Sequence, residues 1–401
     1  MGKHLFLLLL ICSLDIHAGK LIAVNLSDYG KVDEGSLNVT IKRAIDDIEG
    51  KCLILPPWPI DIDEIVIRGK NNFAIKGDTT YALTCRNFLI QDCSDFEISG
   101  LFIKGLVNKF ASFNIVGDCN KFRIHGCLFD SQKDGDGHYT FYGLHIMTDT
   151  KKPDNGFHNS PRNFRVYDNV VRHTRYDGIL VHAYCSDFVI EKNKIVGAEC
   201  IGIEVEGRLG GLKRTTVHPC RNATIRKNET YDCGGWGVLL MWADNVTVVK
   251  NKCFNSLGAF LSIGCTNVNI RNNLFEGRSL GFEISQEYYK VSNGINNHIV
   301  VAGNTIKAKA RGDNRGVIDI RHARNIKIKK NYVTSIFRDK TAYVSLASCQ
   351  NVEMNNNRFS YEGRSLPDLI YKTNVPDPET GKDVPELNLD NLTIQRILIN
   401  R

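Results

Sequence analysis

One short pattern recurs along the chain and limits what it can fold into: a small residue, Asn or Asp two positions later, then an apolar–x–apolar triplet. It reads KNNFAI from Lys70, CSDFEI from Cys93, CNKFRI from Cys119, PRNFRV from Pro161, CSDFVI from Cys185 and CRNATI from Cys220. It continues as ADNVTV from Ala243, CTNVNI from Cys265, ARNIKI from Ala323, CQNVEM from Cys349 and, more loosely, LDNLTI from Leu389. The shortest spacings are 22 to 24 residues, and the longer ones enclose polar loops. A fixed period of this size is the signature of stacked structural units.

Three residues past the closing apolar position stands an asparagine in eight copies: Asn169, Asn193, Asn228, Asn251, Asn273, Asn304, Asn331 and Asn357. Asparagine tolerates the left-handed backbone of a tight corner, and its amide can bond the same residue one layer away. Each unit also holds two or three short segments of period two, rich in Val and Ile and too short for helices. Strands that return to the same azimuth every turn predict an all-β chain, a right-handed parallel β-helix of about ten coils.

The remaining sequence fits around that stack. Residues 1–18 read as a cleavable export signal: Lys3 and His4, an apolar run from Leu5 to Ile11, then Ala18 and Gly19. That run is too short to span a membrane, so the expected location is secreted or periplasmic. Residues 19–401 form a single predicted domain, since 42% hydrophobic residues suffice for a core and no linker divides them. Within it, 19–60 is a cap region. There Ile41, Ala44, Ile45 and Ile48 fall at helical spacing after Asn38, the candidate N-cap, and the helix is expected to cover one end of the stack. Residues 374–386, with Pro376, Pro378 and Pro385, form a polar C-terminal excursion.

The formal charge of +7 is distributed along the sequence without a dense basic run. This favours an acidic polymer as partner and argues against a nucleic-acid groove. Nothing in the sequence fixes the oligomeric state. The repeat slot at Cys93, Cys119, Cys185, Cys220, Cys265 and Cys349 also carries Ala243 and Ala323, so a column of small inward residues is expected ahead of disulfides. No cysteine spacing suggests a metal. No cofactor is required, although calcium is possible at KDGDGH from Lys133, a run that otherwise reads as turns. Six Asn-x-Ser/Thr sequons, at Asn25, Asn38, Asn222, Asn228, Asn245 and Asn391, matter only in a host that glycosylates.

One strand per coil follows a glycine-containing bend. Alternation in YGLHIM, DGILVH, IGIEVE, WGVLLM, AFLSIG, LGFEIS, GVIDIR and AYVSLA predicts two outward columns. One runs His145, Leu180, Glu204, Leu239, Ser262, Glu283, Asp319, Ser345. The other runs Met147, His182, Glu206, Met241, Gly264, Ser285, Arg321, Ala347. Glu204 and Glu206 are then neighbours on one strand, with His182 over Glu206. Two carboxylates at about 6.6 Å along a strand compete for ionisation, which leaves one a proton to donate. A separation of roughly 6.5 to 9.5 Å suits inverting glycoside hydrolysis. Glu204, Glu206 and His182 are therefore the catalytic candidates. His145, Arg208, Lys213, Trp242, Glu283 and Tyr288 are the substrate-binding candidates, with Arg208 and Lys213 suited to sulfate or carboxylate and the aromatics to sugar rings.

The N-terminal helix flanked by DYG and LPP, followed by coils with an asparagine ladder, resembles the pectin-lyase-like superfamily. That resemblance implies a polysaccharide-active enzyme or an adhesin on this fold. The stretch DGILVHAY, followed by Glu204-Val205-Glu206, is similar to the iota-carrageenases, where Gly-Leu-x-Gln-Ala-Tyr precedes a Glu-x-Asp pair. Here His182 stands for Gln and Glu206 for Asp. The polygalacturonase signatures and the Asp-Pro-His of alginate epimerases are absent. The expectation is an exported glycoside hydrolase acting on a sulfated or uronate polysaccharide. A uronate lyase or C5-epimerase, with His182 or Lys213 as base, and a non-catalytic glycan-binding β-helix are the alternatives.

Overall fold

The protein, seen in a computed structural model, is described at residues 21–33, 35–105, 111–131, 141–149, 159–207, 217–285, 295–308, 316–335, 342–361, 370–373, 393–395 and 398–400. Its strands join into one continuous parallel coil. A single turn shows the plan. Ile179–His182 lies in what is here termed the third sheet, Ser186–Glu191 in the first and Lys194–Val196 in the second, before Ile203–Glu206 returns to the third. Each strand pairs in parallel with its counterparts in the turns before and after. The sequence suggests about ten coils; among the described residues the third sheet is twelve strands deep, from Ile60–Arg68 to Ile370–Thr373. The first coils lie ahead of the regular repeat and carry no ladder asparagine, which is why counting repeats gives too few.

Parallel pairing at about 4.8 Å brings identical slots into contact, and the lumen is built from such columns. Phe73, Phe96, Phe122, Phe164 and Phe188 stack face to face with ring centroids 4.7 to 5.2 Å apart. Each buried ring contributes on the order of 2–3 kcal/mol. The six cysteines of the repeat slot are free thiols at 0% exposure, so they form the expected column of small inward residues.

The asparagines form a buried ladder. Each side-chain amide from Asn169 to Asn331 donates to the Oδ1 of the next, at 2.9 to 3.1 Å. It also donates to a carbonyl of the turn behind, as Asn251 does to Ile225 at 2.9 Å. Each Oδ1 from Asn193 on accepts twice, because the preceding asparagine also donates its backbone N–H to it. The ladder residues do not themselves adopt the left-handed backbone. That conformation belongs to the residue before each one, among them Asp168, Lys192, Lys227, Lys250, Asn272, Lys330 and Asn356. A second left-handed column is the Asn/Asp of the repeat slot, including Asp187, Asn222, Asn245 and Asn267. The corner thus places its strained residue outside and its hydrogen-bonding residue inside.

At the N-terminus, helix Leu37–Asp46 buries Leu37, Ile41, Ala44 and Ile45, continuous with the lumen core. Its N-cap is Ser36 rather than Asn38. Asn38 instead bonds Asp63 through both side-chain and backbone groups, tying the helix to the strand it covers. Among the described residues no helix is long and apolar enough to cross a membrane. The expected signal at 1–18 and the excursion at 374–386 lie outside the described residues.

The inward residues of the third sheet are as expected, except in one coil. Leu239 pairs with Leu261 and Leu240 with Ser262, so Phe260 and Ser262 face the lumen while Leu261 and Ile263 face out. Ser262 is tolerated inside because its hydroxyl donates to Asn296 Oδ1 at 3.0 Å. Ser262 and Gly264 accordingly leave the two outward columns.

Replacing Asn251 with Ala leaves the Asn228 amide and backbone N–H without their acceptor. The expected loss is about 2–4 kcal/mol in urea unfolding, whereas Lys250→Asn, one residue away on the outside, changes stability by less than about 0.5 kcal/mol.

Candidate active site

Strand Ile203–Glu206 sends Ile203 and Val205 fully into the lumen, so Glu204 and Glu206 project from the outer face. They are half-buried rather than open, and the Glu206 side chain is 13% exposed. Cross-strand pairing sets their neighbours. Glu204 lies between Leu180 and Leu239, and Glu206 between His182 and Met241. His182 Nε2 stands 3.3 Å from Glu206 Oε2. His145 is two layers from Glu204, above Leu180.

The structure adds a third carboxylate. Asp177, at the bend before Ile179–His182, is 4% exposed and its Oδ1 accepts the Ile201 N–H at 3.1 Å. Burial pushes its carboxyl up to about 6, against a partial lowering by a side-chain hydrogen bond with Glu204. Two carboxyl groups can bond each other only if one carries a proton, so Asp177 and Glu204 can share one below about pH 6. Sequence reasoning missed Asp177 because Asp-Gly reads as a turn. Its position one coil before the Glu pair, immediately ahead of the same strand slot, was the available signal.

Aromatic and imidazole rings close this cluster on one side. Tyr142 lies 5.2 Å from the His145 ring and 6.0 Å from Tyr176, and His145 lies 5.8 Å from His182. Burial, then the charges of Asp177, Glu204 and Glu206, push the Tyr142 hydroxyl up, so it remains a donor. His145 is fully buried; burial, then His182, hold it well below the usual histidine range and therefore neutral. The half-buried Cys200 thiol is pushed up to about 12, chiefly by burial and then by Asp177 and Glu204.

On the other side the outer face is apolar. Ile201, Leu239, Met241, Trp242, Leu261 and Ile263 form a cluster separate from the lumen core, with Trp236 packed against it. The Trp236 ring lies on Gly258 of the next strand, where any side chain would collide with it. Trp242, expected to stack on a sugar, is 4% exposed inside this cluster and presents no ring face. Its backbone turns the left-handed corner that Gly264 occupies one coil on.

Glu283 is three layers from Glu204, through Leu239 and Leu261, and is 7% exposed. It pairs with Asp319, which accepts from Arg321 at 2.9 Å and from the Ser345 hydroxyl at 2.5 Å. The structure therefore brings Glu204, Glu206, His182 and His145 together, although His145, expected to bind substrate, is fully buried and presents no surface to it, and it leaves Glu283 in a separate polar group farther along the face. Arg208, Lys213, Tyr288 and the Asp-Gly run from Lys133 lie outside the described residues. Among the described residues no three His, Cys, Asp or Glu side chains are arranged to hold a metal ion.

Residues 208–317 match a family model described as a right handed beta helix region. No curated protein sequence matches the chain. Among solved structures it is similar to the A-module of the mannuronan C-5 epimerase AlgE6 of Azotobacter vinelandii, at 15% identity and a TM-score of 0.63, covering 88% of this chain and 99% of that one. A double mutant of the periplasmic alginate epimerase AlgG superposes with a TM-score of 0.64 at 12% identity, over 94% and 84%. DFA-IIIase from Arthrobacter chlorophenolicus A6 does so with 0.56 at 12%, over 94% of each chain. At these identities the likeness establishes the right-handed parallel β-helix fold.

Because Asp177 ionises near 6 in the folded protein and near 3.8 when exposed, it costs nothing below about pH 4 and destabilises the fold as pH rises through 6. Asp177→Asn keeps the Ile201 hydrogen bond and escapes that cost. Its stability relative to the parent should rise between pH 4 and pH 7.5, on the order of 3 kcal/mol. Thermal melts across that range check this, and a gap that narrows with pH contradicts it.

Proposed function

We propose that the protein is a glycoside hydrolase acting on a polysaccharide, in which Glu204 protonates the leaving oxygen and Glu206 activates the attacking water. The observation that carries this is the grouping of Asp177, Glu204 and Glu206 on one half-buried patch, where burial raises the Asp177 carboxyl to about 6. Inverting hydrolysis needs one protonated and one ionised carboxyl group with room for water between them. Adjacent outward positions on a strand are about 6.6 Å apart, within the range for that arrangement. His182, 3.3 Å from Glu206, fixes the orientation of the base. Tyr176, exposed and next in sequence to Asp177, offers a ring surface suited to sugar stacking.

The polymer is proposed to be acidic, sulfated or uronate, as the net charge of +7 favours. With three carboxylates at the reaction centre, the ring cleaved there keeps its own anionic group turned away from them. Arg208 and Lys213 are proposed to meet anionic groups beside the scissile bond. Export to the periplasm or the cell exterior is part of this reading.

A second reading is a uronate lyase or C5-epimerase. It is favoured by the Tyr142 hydroxyl, a proton donor beside the His145 and His182 imidazoles, and by the activities of the two epimerases of the same fold. Removing the proton next to a carboxylate requires positive charge on that carboxylate. In the described cluster only His182 can supply it, against three carboxylates, which ranks this reading second.

The test is a panel of algal and plant acidic glycans. New reducing ends without near-ultraviolet absorbance are expected, and unsaturated ends would replace the proposal with the lyase. Glu206→Gln and Glu204→Gln should each reduce kcat at least 10³-fold with KM little changed, and full activity in Glu206→Gln contradicts the mechanism.

A further inference from the structure

The lysines that are scattered in sequence become a column once the chain is coiled. Lys192, Lys227, Lys250 and Lys330 each occupy the left-handed residue before a ladder asparagine, at the corner between the first and second sheets. All four are exposed. On the first-sheet side of that corner the register aligns Arg226, Arg271 and Lys329. On the second-sheet side it aligns Lys194, Lys252 and Arg358.

Against these ten cations the same three columns carry three carboxylates, Asp168, Glu191 and Glu229. Glu191 is already bonded by Arg165 and Arg226, and Glu229 by Lys252. Among the described residues none of the four corner lysines has a carboxylate partner. The excess of positive charge on this one edge thus equals the +7 of the entire chain. The expectation from sequence, of charge without a dense cluster, holds along the chain and fails in space.

We propose that this corner is a second, non-catalytic binding surface for a linear anionic polysaccharide lying along the coil axis. Lys192, Lys227 and Lys250 stand in three successive coils and Lys330 three coils on, and the coil repeat of about 4.8 Å suits a polymer with an anionic group on each sugar. A nucleic-acid duplex presents phosphates along a helical path, and single strands call for aromatic platforms between the cations. The corner carries one exposed ring, Tyr332. Because the third sheet contributes nothing to this surface, the inference is independent of which reaction that sheet performs.

The test is the full chain in which Lys192, Lys227, Lys250 and Lys330 are all replaced by Asn. Asn272 and Asn356 already occupy the same corner slot, so the backbone accepts the change. Affinity electrophoresis against polygalacturonate and against a sulfated galactan should show at least tenfold weaker binding of one or both by the variant, and parental binding should fade as salt rises. Fully methyl-esterified polygalacturonate should bind neither protein. Should the fourfold variant fold poorly, Lys194→Gln with Arg271→Gln serves instead, with at least threefold weakening expected. Unchanged affinity for both anionic polymers, equal binding of the neutral ester, or tighter binding of duplex DNA than of either glycan would overturn the proposal.

Discussion

In-register stacking is the constraint on which everything else in this molecule depends. Each strand satisfies its backbone only by lying directly on the same segment of the next turn, so every residue is placed beside its equivalents about 4.8 Å away. The buried asparagine ladder locks that register, because each amide has its two donors and its acceptor engaged by the turns on either side. A slip of one residue would leave those groups unpaired in an apolar interior and turn the phenylalanine column outward.

The same register makes the candidate site. Glu206 meets His182 because their slots are equivalent, and Glu204 meets Asp177 because the bend that precedes each strand recurs one coil earlier. Partial burial then does the chemistry. An apolar patch around Trp242 and Leu239 on one side and the Tyr142, His145 and Tyr176 rings on the other remove water from the carboxylates. A carboxyl group that would ionise near 3.8 in water keeps its proton there up to about pH 6. An open strand face carrying the same two glutamates would have no such proton to give.

Much of this was legible in the sequence for one reason: the repeat reports the azimuth of every residue. The fold, the inward parity of Ile203 and Val205, the pairing of His182 with Glu206 and the three-layer distance to Glu283 all follow from counting. Misassignment arose where counting began from the wrong mark. Aligning AFLSIG by its first residue placed Ser262 outside, whereas counting back from Cys265, as from Ala243, places Leu261 in the Leu239 column. Burial by neighbouring elements is not periodic, so Asp177 read as a turn residue and Trp242 as a surface ring. The basic corner was invisible because its members are tens of residues apart until the coil period is imposed.

The shared proton is the centre of the account, and ¹³C NMR of the side-chain carboxyls titrated from pH 3 to 8 observes it directly. A carboxyl resonance with an apparent midpoint near 6 is predicted, assigned to the Asp177 and Glu204 pair and lost in Asp177→Asn. If both carboxyls titrate independently below about pH 5, as exposed acids do, the pair shares no proton and the account is contradicted.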